Sequence, residues 1–286
     1  MKTEIKKLYV LLCGYEVLPK TISTRNNGDR FILAEPVCAY LLETTEHVIL
    51  LDTGIDPGYA NDPSLRQEHF LNHGWAPPVV RPCHLLEGQL AAIGIATDDI
   101  DHVILSHLHF DHCARLDRFP KAKISVQRKE YDWAFSAAPG PGYLPRDYDH
   151  RSLNWNLVDG DWRPLPGLEL LDTRGHTEGH QSAVVHLPSG RTILLPFDAG
   201  DLAENFDGPV LPGQACDDEA ALRSILRLSS CRPASTPRCC CFTTRTPSNI
   251  SIWHRRSTTE RRRLRPPRPS CRSRTEYKPE TCRIGT

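Results

Sequence analysis

A dense group of histidine and aspartate residues follows an apolar run near the middle of the chain. In ILSHLHFDHCARL, residues 104–116, His107, His109, Asp111 and His112 lie within six positions. Because the chain leaves a strand in an extended conformation, we expect His107 and His109 to point to the same side. Imidazole nitrogens and carboxylate oxygens are ligands that Zn²⁺ prefers. The pattern therefore predicts a metal site, with two ions within reach of one short peptide.

Two later segments carry residues of the same chemical kind. RGHTEGHQS contains His176 and His180, and LLPFDAGD places Asp198 at the end of an apolar run. A histidine-rich surface loop, or histidines bonded to backbone carbonyls, is the alternative interpretation of the first group. Asp198 taken alone also fits a turn-capping aspartate. The cluster of potential ligands directly behind a buried strand favours the metal site.

The segments around these residues alternate between strand and helix patterns. Strands are predicted in KKLYVLLCGYEV, RFILAEPVCAYLLETT, HVILLDTG, DHVILSH, AKISVQ and LELLDT, and a hairpin in QSAVVHLPSGRTILLPFDAGD. Helices are predicted in EGQLAAIGIATDDI and in DDEAALRSILRLSS, where Asp217 or Asp218 would cap the second helix. Strands interleaved with helices indicate a layered α/β domain.

SHLHFDH, RGHTEGHQS, LLPFDAGD and the upstream LLDTG, in this order and spacing, resemble the metallo-β-lactamase superfamily and most closely its N-acyl homoserine lactonase-like branch. The resemblance covers about residues 7–230. It implies an α/β fold of the αββα sandwich type with a two-zinc site at one edge, where a hydroxide that bridges the metals attacks a carbonyl. It further implies a hydrolase of the quorum-quenching kind.

The resemblance assigns a role to each residue of the motifs. It implies that the first metal is bound by His107, His109 and His176, the second by Asp111 and His112, and that Asp198 bridges both. Asp111 and Asp198 are also expected to act in catalysis. His180 and Asp52 are expected to orient the site, because ligating imidazoles need a partner for the other ring nitrogen. Packing is the alternative role of His180, and a strand-end turn that of Asp52.

The chain departs from the family pattern at two places. Acyl-homoserine lactonases typically carry a tyrosine three positions after the bridging aspartate, where this chain has Asp201, so Asp201 is a candidate substrate-binding residue of different chemistry. The family also supplies one more histidine as the last ligand of the second metal, near the end of a C-terminal strand and usually before an aspartate. His254 is the histidine of the C-terminal part, and it precedes Arg255.

Composition divides the chain into a domain at residues 1–230 and a tail at residues 231–286. The tail holds thirteen arginines and one lysine against three glutamates, a net charge of +11; since the whole chain balances 35 basic against 35 acidic residues, residues 1–230 carry −11. Six of the eleven cysteines also lie in the tail. Rich in Arg, Cys, Ser and Pro, the tail is predicted to be disordered.

A reading-frame error explains the tail better than a nucleic-acid-binding arm does. Suppose that the reading frame is shifted, so that each new codon consists of the third base of one codon and the first two bases of the next. With suitable synonymous codons, the DNA for PRCCCFTTRTPSNISIW can then encode an apolar strand that ends in His-Asp-Pro. Phe242 followed by Thr243 then gives His or Tyr, and Thr243 followed by Thr244 permits Asp. The missing ligand motif would thus reappear where the family places it.

The sequence therefore predicts a cytoplasmic zinc hydrolase that opens a lactone or related carboxylic ester. Two zinc ions are expected in the intact family, and one complete site in this chain as written. The alternatives are a glyoxalase II-like thioesterase, and an inactive product whose basic tail binds nucleic acid nonspecifically.

No apolar run reaches the ~20 residues of a membrane span, and the cysteines lack C-x-x-C spacing, which fits a reducing compartment. The acyl group, the native metal and the oligomeric state stay open.

Overall fold

A computed structural model describes residues 4–231; the tail from residue 232 onward, with His254 and the predicted frame error, lies outside the described residues. The described strands are β1 (Ile5–Pro19), β2 (Ile32–Thr44), β3 (Val48–Leu51), β4 (His102–Ile104), β5 (Lys123–Gln127), β6 (Asn154–Val158), β7 (Trp162–Leu165), β8 (Leu168–Asp172), β9 (Gln181–His186) and β10 (Thr192–Leu195). The described α-helices are α1 (Lys20–Ser23), α2 (Pro57–Asn61), α3 (Pro63–His69), α4 (Leu86–Ala92), α5 (Arg128–Ala134), α6 (Pro145–Tyr148), α7 (Ala203–Asp207) and α8 (Asp218–Ser230).

These strands form two sheets. The first has the order β1-β2-β3-β4-β5-β6 and the second the order β10-β9-β8-β7. Strands β1, β2 and β3 pair antiparallel, whereas β3 through β6 pair parallel. The second sheet is antiparallel throughout. The parallel strands bring the chain segments that follow β3 and β4 to the same edge of the sheet, where LLDTG and SHLHFDH begin.

The two sheets share one core, which the alternation of side chains along each strand creates. In β3, Ile49 and Leu51 face this core, while Leu50 faces the opposite side of the sheet. In β9, Ala183 and Val185 face the core from the second sheet. A period of two lets each strand bury one row of apolar side chains between the sheets and the other row under helices.

Helices cover the outer face of each sheet. Leu90 of α4 and Ala134 of α5 pack against the outer side of the first sheet. Ile225 and Leu228 of α8, with Phe206 of α7, pack against the outer side of the second. The layers are thus helix, sheet, sheet, helix, and the predicted αββα sandwich is confirmed.

Most strands lie where the sequence predicts them, but the helix predicted at residues 87–100 is wrong beyond Ala92. Gly94 has a φ of +81°, which ends the helix, and a 3₁₀ turn at Thr97–Asp99 follows, with the Asp99 carboxylate accepting from the Ala96 N–H. Asp217 caps α8 by accepting from the Ala220 N–H. The sequence analysis did not identify β6, β7 or the short helices α1, α2, α3, α5, α6 and α7.

In the described part of the chain no helix is both long and apolar enough to cross a bilayer. The six cysteines found there are all free thiols, at positions 13, 38, 83, 113, 216 and 231.

Candidate metal centre

The predicted ligands and Asp52 come from four separate segments that end at one edge of the sandwich. His107, His109, Asp111 and His112 follow β4, and Asp52 follows the neighbouring parallel strand β3. The second sheet contributes His176 from the loop between β8 and β9 and Asp198 from the 3₁₀ turn after β10. The side chain of Gln181 links the sheets here, because its amide nitrogen donates to the Leu105 carbonyl over 2.8 Å.

The first group consists of His107, His109, His176 and Asp198, each with one ligand atom within 4.8 Å of all the others. His176 Nε2 lies 3.2 Å from His109 Nδ1 and 3.4 Å from Asp198 Oδ2. Three imidazole nitrogens and one carboxylate oxygen form a donor set that suits Zn²⁺ and similar ions. The structure thus brings together the residues predicted for the first metal.

A buried nitrogen without a partner shows that this group fits a cation. His107 is fully buried, and its Nε2 has no hydrogen-bond partner among the described residues. Its Nδ1 lies 2.9 Å from the Ser106 hydroxyl, which lies 2.8 Å from Asp52 Oδ2. If Ser106 donates to Asp52, the His107 Nδ1–H donates to Ser106, and Nε2 keeps a free lone pair that faces the cluster.

Burial also keeps His107 and His109 neutral. It lowers the pKa of His107 and of His109 well below the usual range, and the neighbouring imidazoles lower both further. The His176 ring is oriented from outside the group, since its Nδ1 lies 3.1 Å from the Gln214 carbonyl oxygen and leaves Nε2 facing the site. Neutral imidazoles with inward lone pairs are the form that binds a metal ion.

The second group consists of Asp111, His112 and Asp198. His112 Nε2 lies 2.9 Å from Asp111 Oδ2 and 3.2 Å from Asp198 Oδ1. The two oxygens of Asp198 therefore face different groups, Oδ1 towards His112 and Oδ2 towards His176. This is the arrangement expected of a carboxylate that bridges two metal ions.

The electrostatics of the second group favour positive charge. Burial lowers the pKa of His112, but Asp111 and Asp198 outweigh burial and raise that pKa well above its ordinary value. Burial likewise raises the pKa of Asp198, yet His112 and then His176 bring it far below its usual range. A proton on His112 and a divalent cation between these carboxylates would satisfy the same demand for positive charge.

Asp52 lies behind both groups, in direct contact with His112 and linked to His107 through the Ser106 hydroxyl. It is fully buried with a φ of +57°, and it accepts from the Ser106 N–H over 2.7 Å and from the Ser106 hydroxyl. Its Oδ2 also lies 2.8 Å from His112 Nδ1, so the other ring nitrogen of His112, Nε2, faces Asp111 and Asp198. Asp52 therefore has the position predicted for a residue that orients metal ligands.

His180 contacts a proposed ligand through the main chain. Its Nε2 accepts from the Asp198 N–H over 3.2 Å, while its Nδ1 lies 3.1 Å from the Thr173 carbonyl oxygen. Burial, and next the neighbouring His176, lowers the pKa of His180 to about 3, so its ring is neutral. Of the two roles left open for His180, this geometry favours orientation of the Asp198 turn.

Glu130 was missed by the sequence analysis, although it joins both ligand loops. It is fully buried on α5 and accepts from the Leu108 N–H over 2.9 Å and from the Gly179 N–H over 3.0 Å. The Tyr143 hydroxyl donates to it over 2.8 Å. In the sequence Glu130 lies in QRKEYDW, without the spacing of a metal or catalytic motif, so no local signal distinguishes it from a surface glutamate.

A cavity of about 400 Å³ opens above the candidate metal centre. Its floor includes His109, Asp111, His112, His176 and Asp198, and its walls include Phe70, Phe110, Trp75 and Tyr143. Asp201, the candidate substrate-binding residue, also lines this cavity. The metal centre is thus accessible to a small molecule.

Comparison with known proteins agrees with this geometry. The model of the metallo-beta-lactamase superfamily matches residues 34–234. The chain belongs to the metallo-beta-lactamase superfamily. It is 36% identical over 226 residues to an N-acyl homoserine lactonase of Bacillus sp., a match that covers 78% of this chain and 87% of that relative. It is 34% identical over 224 residues, with the same coverage, to the N-acyl homoserine lactonase AiiA of Bacillus thuringiensis subsp. kurstaki.

Solved structures give the same placement within the superfamily. One is an N-acyl homoserine lactone hydrolase with the product N-hexanoyl-L-homoserine bound at the catalytic metal center. It has a TM-score of 0.72 and 34% identity, covering 81% of this chain and 89% of that structure. The chain is therefore a hydrolase of the metallo-beta-lactamase fold in the lactonase-like group, as the sequence predicts. The assignment of its six candidate ligands stays a prediction.

Proposed function

We propose that this protein is a zinc-dependent lactonase that hydrolyses the ester bond of a lactone ring. The observation that carries the proposal is the pair of ligand groups that share Asp198 at the floor of the cavity. The similarity to N-acyl homoserine lactonases supports lactones as the substrate class. The substrate carbonyl would lie above Asp198, with the remainder of the molecule along the cavity wall.

The residues would hold two zinc ions in unequal sites. His107, His109 and His176 would bind the first ion and Asp111 and His112 the second, with Asp198 between them. When bound, such ions polarise a carbonyl and lower the pKa of coordinated water. Because the described second group supplies only three ligands, including the shared Asp198, we propose that the chain as written binds its second zinc weakly.

The reaction adds one water across the ring ester. The carbonyl carbon gains a hydroxyl, the ring C–O bond breaks, and the ring oxygen takes a proton to become an alcohol. Asp111 lines the cavity beside His112 and carries this proton on its carboxylate from the attacking water to the ring oxygen. The negative charge of Asp198 would help to hold both ions.

Metal analysis and hydrolysis assays of His107→Ala test the proposal. The full chain should contain at least one zinc and open an acyl-homoserine lactone faster than a thioester, whereas His107→Ala should lose zinc and hydrolysis together. His47→Ala, at an exposed position between β2 and β3, is the matched control and should keep both. Unchanged zinc in His107→Ala would refute the first site, and a preference for the thioester would favour a glyoxalase II-like activity.

A further inference from the structure

The residue directly before Asp198 has a strained backbone. Phe197 has a φ of +48°, in the left-handed region that an aromatic residue rarely adopts. The other non-glycine residues of the described chain with a positive φ are Asn26, Asp52 and Arg115. Asparagine and aspartate tolerate this conformation better than phenylalanine does. Strain of this kind persists only where the surrounding contacts impose it.

Two buried side chains hold the peptide groups on either side of Phe197. The Ser182 hydroxyl donates to the Pro196 carbonyl oxygen over 2.9 Å, and His180 Nε2 accepts from the Asp198 N–H over 3.2 Å. Ser182 and His180 are both fully buried. The carbonyl before Phe197 and the N–H after it are therefore both fixed by the start of β9. Its neighbours thus set the conformation of Phe197, against its own preference.

Thr173 joins these two contacts into one network. Its hydroxyl lies 2.7 Å from Ser182 Oγ and 3.0 Å from His180 Nδ1. Because Ser182 donates to the Pro196 carbonyl, the Thr173 hydroxyl donates to Ser182. His180 Nδ1 then carries its proton towards Thr173, and Nε2 keeps the lone pair that accepts from the Asp198 N–H. Every donor in the network has an acceptor, so the turn is held from both sides.

The ring of Phe197 offsets the strain of its backbone. It packs edge to face against Tyr40, with the ring centroids 5.9 Å apart, and it joins the core between the two sheets. Aromatic pairs of this geometry contribute more than their apolar burial alone. Glycine would adopt the same φ without strain but would lose these contacts. The ring therefore stabilises a turn that the backbone of phenylalanine disfavours.

The strained turn determines where the Asp198 carboxylate points. Its Oδ1 lies 3.2 Å from His112 Nε2, and its Oδ2 lies 3.4 Å from His176 Nε2 and 3.8 Å from His107 Nε2. Because the aspartate side chain is short, the direction of its Cα–Cβ bond decides which groups its oxygens reach. Relaxation of Phe197 to a negative φ would turn that bond and move an oxygen away from its group.

We propose that Phe197 is a positioning residue for the shared carboxylate: held in a left-handed conformation, it fixes Asp198 between the two metal ions. The inference rests on the proposed function, because it takes Asp198 as a ligand of both zinc ions. Phe197 acts through Asp198 and is not itself a ligand.

Zinc titration of Phe197→Gly and Phe197→Ala separates the backbone from the ring. Both variants lose the ring, but glycine adopts the left-handed conformation without strain and alanine does not. We expect Phe197→Gly to bind zinc about tenfold more tightly than Phe197→Ala, the effect of disturbing a contact that orients a metal ligand. The full chain is stripped of metal with a chelator and titrated with zinc against a chromophoric competitor, so the readout does not depend on hydrolysis.

Asn26 provides the matched control pair. It has a φ of +58°, is exposed, and lies outside the cavity lining. Asn26→Gly and Asn26→Ala should differ in thermal stability without zinc, because alanine is strained there, but should bind zinc alike. A merely structural role of Phe197 would give the same result at its own position: a difference in stability and none in zinc affinity.

Ser182→Ala tests the same inference with the Phe197 ring in place. It releases the Pro196 carbonyl on one side of the turn and should also weaken zinc binding. This variant decides the outcome if Phe197→Ala does not fold, since unchanged zinc affinity in Ser182→Ala would then overturn the inference.

The outcomes separate this inference from the proposed function. Equal zinc affinity of Phe197→Gly and Phe197→Ala, or tighter binding by the alanine variant, overturns the inference even when the unaltered chain binds zinc and hydrolyses lactones. An unaltered chain that binds zinc but opens no lactone refutes the lactonase, while a tenfold gap between the two variants still supports the positioning role. An unaltered chain that binds no zinc refutes both.

Discussion

Among single residues, Asp198 is the one that both ligand groups share. Its two oxygens face His112 and His176 at 3.2 and 3.4 Å. We predict that Asp198→Asn lowers zinc content and lactone hydrolysis together, because a neutral amide compensates two cations poorly. Elemental analysis beside a hydrolysis assay measures both. Full retention of the two properties would show that Asp198 only forms the turn after β10.

Gly142 controls the space around the His109 ring. It has a φ of +91°, and a Cβ atom there would lie 2.8 Å from His109 Cδ2. We predict that Gly142→Ala displaces the ring and weakens zinc binding by about 10-fold or more. Gly140→Ala is the matched control, since Gly140 has a φ of +98° but open space at its Cβ position. Zinc titration should separate the two variants; equal affinities would mean that backbone strain alone matters.

Glu130 tests whether the buried network positions the ligands. Glu130→Gln keeps the size of the side chain but replaces one acceptor oxygen by an amide nitrogen, so that either the Leu108 N–H or the Gly179 N–H loses its acceptor. Leaving a buried donor without an acceptor costs about 1–3 kcal/mol. We expect lower thermal stability and weaker zinc binding, read by thermal unfolding with and without zinc. Asp132→Asn, exposed on the same helix, should change neither; a matching loss there would contradict a specific role for Glu130.

Among the elements of the fold, the short helices α2 and α6 are joined by one buried hydrogen bond. The Tyr59 hydroxyl of α2 donates to Asp147 of α6 over 2.8 Å. Burial raises the pKa of Asp147 to about 7 although the bond from Tyr59 opposes the shift. Since the folded pKa exceeds the unfolded value, Asp147 contributes most to stability below pH ~4, and the contribution is lost as pH rises through about 7.

Asp147→Asn should remove this pH dependence, because the amide oxygen still accepts from Tyr59 and cannot ionise. Relative to the unaltered chain, the variant should gain on the order of 2 kcal/mol in unfolding free energy between pH 5 and pH 8. Chemical denaturation at the two pH values measures the difference. Asp149→Asn, at an exposed position after α6, is the control. Parallel pH profiles of Asp147→Asn and the unaltered chain would show that Asp147 ionises normally.

For the molecule as a whole, the chain is predicted to depart from the family pattern after α8. The match to the superfamily ends at residue 234, and the relatives match 78% of this chain. The predicted frame error would replace a strand and the last ligand of the second metal. We predict that restoring the frame near codons 228–230 raises zinc content toward two per chain and increases hydrolysis. Thermal stability should also rise more steeply with zinc than in the chain as written.

The underlying DNA gives the decisive control for this prediction. If the shifted frame encodes a stop codon or no histidine at the position of Phe242, the tail is natural and the prediction is wrong. The same holds if the chain as written already binds two zinc ions and hydrolyses lactones as fast as the corrected one.

Residue type and spacing were sufficient to predict a layered α/β domain, because strands with a period of two and helices between them admit few layered arrangements, whereas the αββα sandwich was implied by the family resemblance. They also marked His107, His109, Asp111 and His112, because ligands that are close in sequence after one strand stay close in space. His176 and Asp198 needed the resemblance as well. Residue type and spacing do not show that the loop between β8 and β9 and the turn after β10 lie beside the end of β4.

Several other residues that surround these ligands could be identified only from the folded chain. Glu130 lies outside every motif in the sequence, yet it bonds the main chain of both ligand loops. Glu16 and Glu35 lie on different strands, and only the register of β1 with β2 sets them opposite each other at the cavity wall. Such contacts come from pairing and packing over long sequence separations, which residue type and spacing do not encode locally.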